Sequence, residues 1–178
     1  YDRAVTTFEG NQFLVSANFY FPGFSSTHSL EIRAAWQQRD AGNQVRFSNS
    51  FPFSRGYSGE NFFRMYRLAV NYHLPLAYPD WGFGNILYFL RIRTNAFFDY
   101  TRVPSFELNG PGVQPQYRSL GMEIYFDTNW WNELPLSLGI RYSRLLDPDY
   151  EGRSPNQWEL ILPLNILDKG FSHRNPNG

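Results

Sequence analysis

The sequence predicts an all-β fold, an antiparallel transmembrane β-barrel or the C-terminal half of one, with about seven to eight strands in this chain. Three observations carry this reading. Segments of about 9–14 residues alternate apolar and non-apolar side chains, enough to cross a hydrocarbon layer at a tilt of about 45°. Strands of water-soluble proteins usually run about 5–6 residues. The non-apolar face also bears charge in almost every segment, at Glu31, Arg33, Arg67, Arg91, Arg93, Asp99, Glu123, Asp127, Arg141 and Glu159. A packed sandwich core rejects such charges, whereas a water-filled lumen solvates them. Finally, connections alternate short (22–28, 77–85, 130–133) and long (39–61, 103–116, 146–156), as turns and external loops do in outer-membrane barrels. A soluble β-sandwich or lipocalin-like barrel is the competing fold, because one sandwich face can also lie in water.

The segments follow in order. Residues 1–11 read equally as loop or strand end. Phe13, Val15, Ala17, Phe19 and Phe21 then alternate with Leu14, Ser16, Asn18 and Tyr20, up to a Pro22-Gly23 turn. Leu30, Ile32, Ala34 and Trp36 oppose Glu31, Arg33, Ala35 and Gln37. After a long polar connection, Tyr66, Leu68, Val70, Tyr72 and Leu74 oppose Met65, Arg67, Ala69, Asn71 and His73, in a strand expected to stop at Pro75. Pro79-Asp80-Trp81-Gly82 reads as a tight turn. The longest strand sets Tyr88, Leu90, Ile92, Thr94, Ala96, Phe98 and Tyr100 against Arg91, Arg93, Asn95, Phe97 and Asp99. Leu120, Met122, Ile124 and Phe126 form the next apolar face, and Leu134, Leu136, Leu138, Ile140 and Tyr142 the one after. The expected closing strand, 158–166, puts Trp158, Leu160, Leu162, Leu164 and Ile166 on one face. Two regions result: strands and loops over 1–167, and a polar tail over 168–178. Aromatics gather at both ends of the segments. Tyr78, Trp81, Trp130 and Trp131 sit at short turns, and Tyr100, Tyr117, Tyr142 and Trp158 near long loops, as two interfacial girdles would.

Composition narrows the function classes. The 178 residues suit one domain, and their formal net charge of zero argues against a generally basic nucleic-acid binder. Hydrophobic residues make up 42% and aromatics 19%, yet mean hydropathy is −0.47, a pairing expected of a barrel with a polar lumen. The absence of Cys excludes disulfides, thiolate zinc sites and Cys nucleophiles. No run of 18 apolar residues could form a transmembrane helix. The start at Tyr1, without a charged-then-apolar leader, fits a processed chain or a piece of a longer one. His28, His73 and His173 are scattered, and no G-x-S-x-G elbow occurs. No enzyme activity, cofactor or metal site is therefore expected, although some small outer-membrane barrels transfer acyl groups or cleave lipids.

The stretch 51–76 organises the rest. Arg55-Gly56-Tyr57 precedes the strand that ends Asn71-Tyr72-His73-Leu74-Pro75-Leu76. The next strand carries Phe97-Phe98-Asp99-Tyr100-Thr101, and a later one opens Tyr117-Arg118-Ser119-Leu120-Gly121. In order and spacing, this resembles the BamA-type superfamily of outer-membrane insertases and transporters. There, an [V/I]-R-G-[F/Y] loop folds into the lumen ahead of an E-x-R-x-P-L strand and an F-x-D-x-G strand. Pro-Leu, Phe and Asp match here. Asn71, His73 and Thr101 stand where the family has Glu, Arg and Gly. Certain wordings, such as the 79–85 turn, are similar to Bacteroidota barrels, some of which carry a propeller-like periplasmic region.

The resemblance implies the last seven strands of a barrel of about 16, with the N-terminal half or a periplasmic domain missing. It implies localisation in the bacterial outer membrane and contact with its lipids and lipopolysaccharide. It also implies nascent outer-membrane or secreted proteins as clients, and no nucleic acid. By carry-over, Arg55 reaches inward to Asp99; Asn71, His73, Arg91 and Arg93, inward by alternation, are the further lumen groups expected. The closing strand would form a seam whose unpaired backbone templates an incoming strand. Two alternatives stay open: a complete small barrel of about eight strands with a structural, adhesive or enzymatic role, and a passive pore.

Overall fold

The computed structural model describes residues 11–39, 51–58, 62–104, 116–131, 133–148 and 152–162. Eight strands form a single antiparallel sheet: β1(Gln12–Pro22), β2(Ser29–Arg39), β3(Arg64–Ala77), β4(Trp81–Phe83), β5(Leu87–Arg102), β6(Gln116–Trp130), β7(Leu134–Leu145) and β8(Asn156–Ile161). The path is β1-β2-β3-β5-β6-β7-β8, with the three-residue β4 paired to β5 alone. Among the described residues there is no helix, and so none long and apolar enough to cross a membrane. β1 and β8 are edges, and the described sheet does not close on itself.

Strand length follows from uninterrupted alternation. β3, β5 and β6 run 14, 16 and 15 residues, well past the usual soluble strand. Register keeps one face apolar from strand to strand: Val15 pairs with Trp36, Trp36 with Tyr66, Leu68 with Tyr100, Phe98 with Leu120, and Ile124 with Ile140. This face is uncovered. Leu68, Leu120, Met122, Ile140, Trp158 and Leu160 are all exposed. The opposite face holds the buried groups, among them Glu31, Asn71, Asp99, Ser119 and Glu123. The sheet is thus inverted relative to a soluble one, apolar outward and polar inward.

A small apolar core nevertheless lies on the polar side. Ala35, Phe51, Tyr57, Met65, Val103, Tyr117 and Leu145 cluster there, with Phe53 and Phe62 packed against them. It forms because the segment 51–58, expected within a long polar connection, lies back on the sheet.

Several element boundaries differ from the sequence reading. β3 does not stop at Pro75 but continues to Ala77, past a register shift between those two residues. Pro lacks the N–H a regular ladder needs, and a bulge accommodates it. The 79–82 turn is displaced. Asp80 takes φ 47, Trp81–Phe83 pairs back onto β5, and the chain reverses at Gly84, where φ is 56. β8 ends at Ile161, so Leu162 lies beyond the strand. Leu164, Ile166 and the tail 168–178 fall outside the described residues. Tyr117, assigned by sequence to the outer girdle, faces inward into the core, opposite Thr101. Trp130–Trp131 and Tyr142–Trp158 do pair, with centroids 5.8 and 4.9 Å apart.

Candidate functional site

The site is built by the returning loop and three strands. Gly56 takes φ +86, a conformation nearly closed to residues with a side chain. A Cβ there would lie 2.8 Å from Leu145 Cδ2 and 3.0 Å from Ser143 Cβ. Glycine therefore both turns the loop and lets it touch the wall. Residues on either side dock. Ser54 Oγ donates to the Tyr117 carbonyl at 3.0 Å and lies 2.7 Å from Thr101 Oγ1. The Tyr57 hydroxyl donates to the carbonyls of Arg118 and Asp147 at 2.9 and 3.0 Å and accepts from the Asp147 N–H at 3.1 Å. Phe53 and Tyr57 both pack edge-on against the Tyr117 ring.

This docking delivers Arg55 to the polar wall. Its Nε and Nη2 donate to the two carboxylate oxygens of Asp99 at 2.7 and 2.9 Å, a bidentate fork, and its backbone N–H adds a third bond at 3.0 Å. Nη2 also donates to Asn71 Oδ1 at 2.6 Å, and Nη1 to Glu123 Oε1 at 3.1 Å. The guanidinium carbon lies 3.6 Å over the Phe97 ring, a cation–π contact. Phe97 itself depends on Gly121, its cross-strand partner, since a Cβ at 121 would collide with that ring. One side chain thus ties the loop to β3, β5 and β6.

Asp99 is fully buried and takes a second cation, Arg67 Nη2, at 3.1 Å. Glu123 is the other hub. It accepts from Arg141 Nε at 2.7 Å, Asn95 Nδ2 at 2.8 Å and the Tyr125 hydroxyl at 3.0 Å, besides Arg55. Arg141 in turn reaches Glu159 on β8 at 2.8 Å. Charge pairing of this density replaces the water each ion loses on burial.

The expected lumen set is split. Arg55 bonds to both Asn71 and Asp99, whereas Arg93 and His73 line the same cavity as Arg55 but bond elsewhere, and Arg91 lies apart. Arg91 and Arg93 share Asp127, which Ser137 also contacts. His73 Nε2 lies 3.3 Å from Glu31 Oε2, and Arg33 pairs with the same carboxylate at 2.8 Å. For Arg91 the reason is distance along the strand: parity places it on the face of Asp99, but eight residues nearer the short-turn end. Glu123, Arg67, Ser54 and Phe97 were not singled out as partners of the loop. Parity puts Glu123 on the inner face, but only the β5–β6 register, Asn95 opposite Glu123, brings it to Arg55. Of the expected closing-strand residues, Trp158 and Leu160 lie in β8 and point outward.

No family model matches the chain, and neither a curated protein nor a solved structure does.

Proposed function

We propose that this chain is the C-terminal part of an outer-membrane β-barrel that inserts or translocates other proteins, of the kind the BamA-type superfamily comprises. The observation that carries the reading is the inward-folded Arg55-Gly56-Tyr57 loop, with Arg55 forked onto Asp99. Motif order alone is weak; motif order together with this contact is more specific. Two substitutions against the family pattern are also accommodated. Asn71 still accepts from Arg55, while Glu123 supplies the carboxylate that Asn71 lacks. Thr101, where the family has Gly, meets the loop through Ser54.

The inverted polarity of the sheet supports embedding in a bilayer, where an exposed apolar face is solvated by lipid and a polar face by lumen water. The free edges support a larger assembly. Seven strands lie on the antiparallel path, so β1 and β8 run in the same direction. Pairing these two edges directly would be parallel, unlike every other pairing in the sheet. An antiparallel closure takes an odd number of further strands. In this reading the loop clamp braces the wall, and the seam beside β8 offers backbone groups to a client strand. That role involves no bond-making chemistry.

The test is depletion of the full-length protein in its native host, with complementation by wild type and by Arg55→Ala. The reading expects a broad fall in outer-membrane protein levels, restored by wild type and poorly by the variant. Unchanged levels after depletion would sink it.

A further inference from the structure

We propose that the inner-face trough beside Arg55 binds an extended acidic peptide segment. The proposal rests on the reading above only in taking this face to line a lumen. A cavity of about 410 Å³ opens there, lined in part by Arg33, Arg67, Asn71, Arg93 and Arg141. A second cavity of about 290 Å³ shares His73 and Arg93 with it and adds Arg91. The two adjoin at His73 and Arg93.

The wall is layered by charge. The side chains of Glu31, Asp99 and Glu123 are 1%, 0% and 4% exposed, whereas those of Arg33, Arg93 and Arg141 are 47%, 37% and 23% exposed. Acids form the floor, and cations face the open space. Glu159, on edge strand β8, is the exposed exception. A chain of zero formal net charge thereby presents a cationic trough. Its floor also holds unused donors. Arg67 Nε and Asn71 Nδ2 are buried without a hydrogen-bond partner among the described residues, on side chains that line the cavity. Buried donors left unsatisfied are costly and call for an acceptor.

A carboxylate fits, since its two oxygens match a guanidinium fork. The spread of the cations points to a peptide rather than a small anion. Arg33 lies on β2, Arg93 on β5 and Arg141 on β7, each two strands from the next in the sheet, so their strands are about 10 Å apart and the cations do not converge on one point. Phe53 and Tyr125 flank the trough and offer surface to aliphatic stems.

The experiment uses the full-length protein in detergent micelles and a fluorescein-labelled Glu-Ser repeat peptide, read by fluorescence anisotropy. Saturable binding is expected, at least about tenfold tighter than for Gln-Ser or Lys-Ser repeats and weakened by salt. Arg33→Gln with Arg93→Gln should weaken it about tenfold or more. The fold should survive, because Glu31 keeps His73 and Asp127 keeps Arg91; if the double variant does not fold, Arg33→Gln alone supplies the comparison. Equal binding of the Gln peptide, or no effect of the variants, overturns the proposal. So does inorganic phosphate binding as tightly as the Glu peptide. Peptide binding in micelles does not depend on insertion activity. A protein that binds the Glu peptide while its depletion leaves outer-membrane protein levels unchanged would lose the proposed function and keep the trough.

Discussion

Arg55 reaches its position through Gly56 and holds it through Asp99, and substitutions at Arg55, Gly56 and Tyr57 test this. Arg55→Ala leaves Asp99 buried with Arg67 alone, and a buried pair broken from one side loses about 3–5 kcal/mol. Urea unfolding of the full-length protein reconstituted in lipid vesicles measures this. Arg55→Lys should recover only a minor part, since an ammonium cannot fork onto Asp99 while reaching Asn71 and Glu123. Gly56→Ala should destabilise comparably to Arg55→Ala, because φ +86 and the approach of Leu145 both oppose a Cβ. Tyr57→Phe removes a hydroxyl with three partners and should cost about 1–3 kcal/mol. At this scale alternation placed Asp99 and Asn71 on the inner face, while Arg55 and its reach to Asp99 came from the resemblance. Glu123 was not connected to them, because cross-strand register depends on loop lengths and bulges that single-strand periodicity does not encode. The misplacement of Tyr117 has the opposite cause. Its parity with Ser119 already points inward, and its position near a long loop was given more weight than its face.

Strands were the most legible elements, because one period-two pattern persists over their whole length. Their ends were less so. Pro75 reads as a terminator, yet a bulge carries β3 past it, and β4 emerges where a single turn was expected. The segment 51–58 was predicted to fold inward by resemblance; composition alone describes it as a polar connection. Face assignment gives a direct test at this scale. Leu138 pairs with Phe126 on the outward face, and Leu138→Arg should cost about 2–4 kcal/mol at mid-membrane. Gly139, its inward neighbour, is a poor control, since a Cβ there would lie 2.8 Å from the Tyr125 ring. Ser16, inward and exposed on β1, is a better one, and Ser16→Arg should be nearly neutral in the same vesicle unfolding assay. Equal effects of the two substitutions would mean that the faces are reversed or that neither meets lipid.

The whole molecule is a sheet with its polarity inverted and both described edges open. The class of sheet was readable from the sequence; closure was not, because strand periodicity does not encode which edges pair. The central claim is that the apolar face meets lipid while the polar face, with its loop clamp, meets water. The most direct measurement uses the absence of native Cys. Single cysteines are placed along β6 at outward Leu120, Met122, Ile124 and Phe126 and at inward, half-buried Tyr125 and Asn129. Each is spin-labelled in the full-length protein reconstituted in bilayers, and its collisions with oxygen and with a water-soluble nickel chelate are compared. The account predicts period-two alternation, with outward labels relaxed mainly by oxygen and inward labels more by nickel. Uniform nickel accessibility along β6, or alternation of the opposite phase, would contradict it.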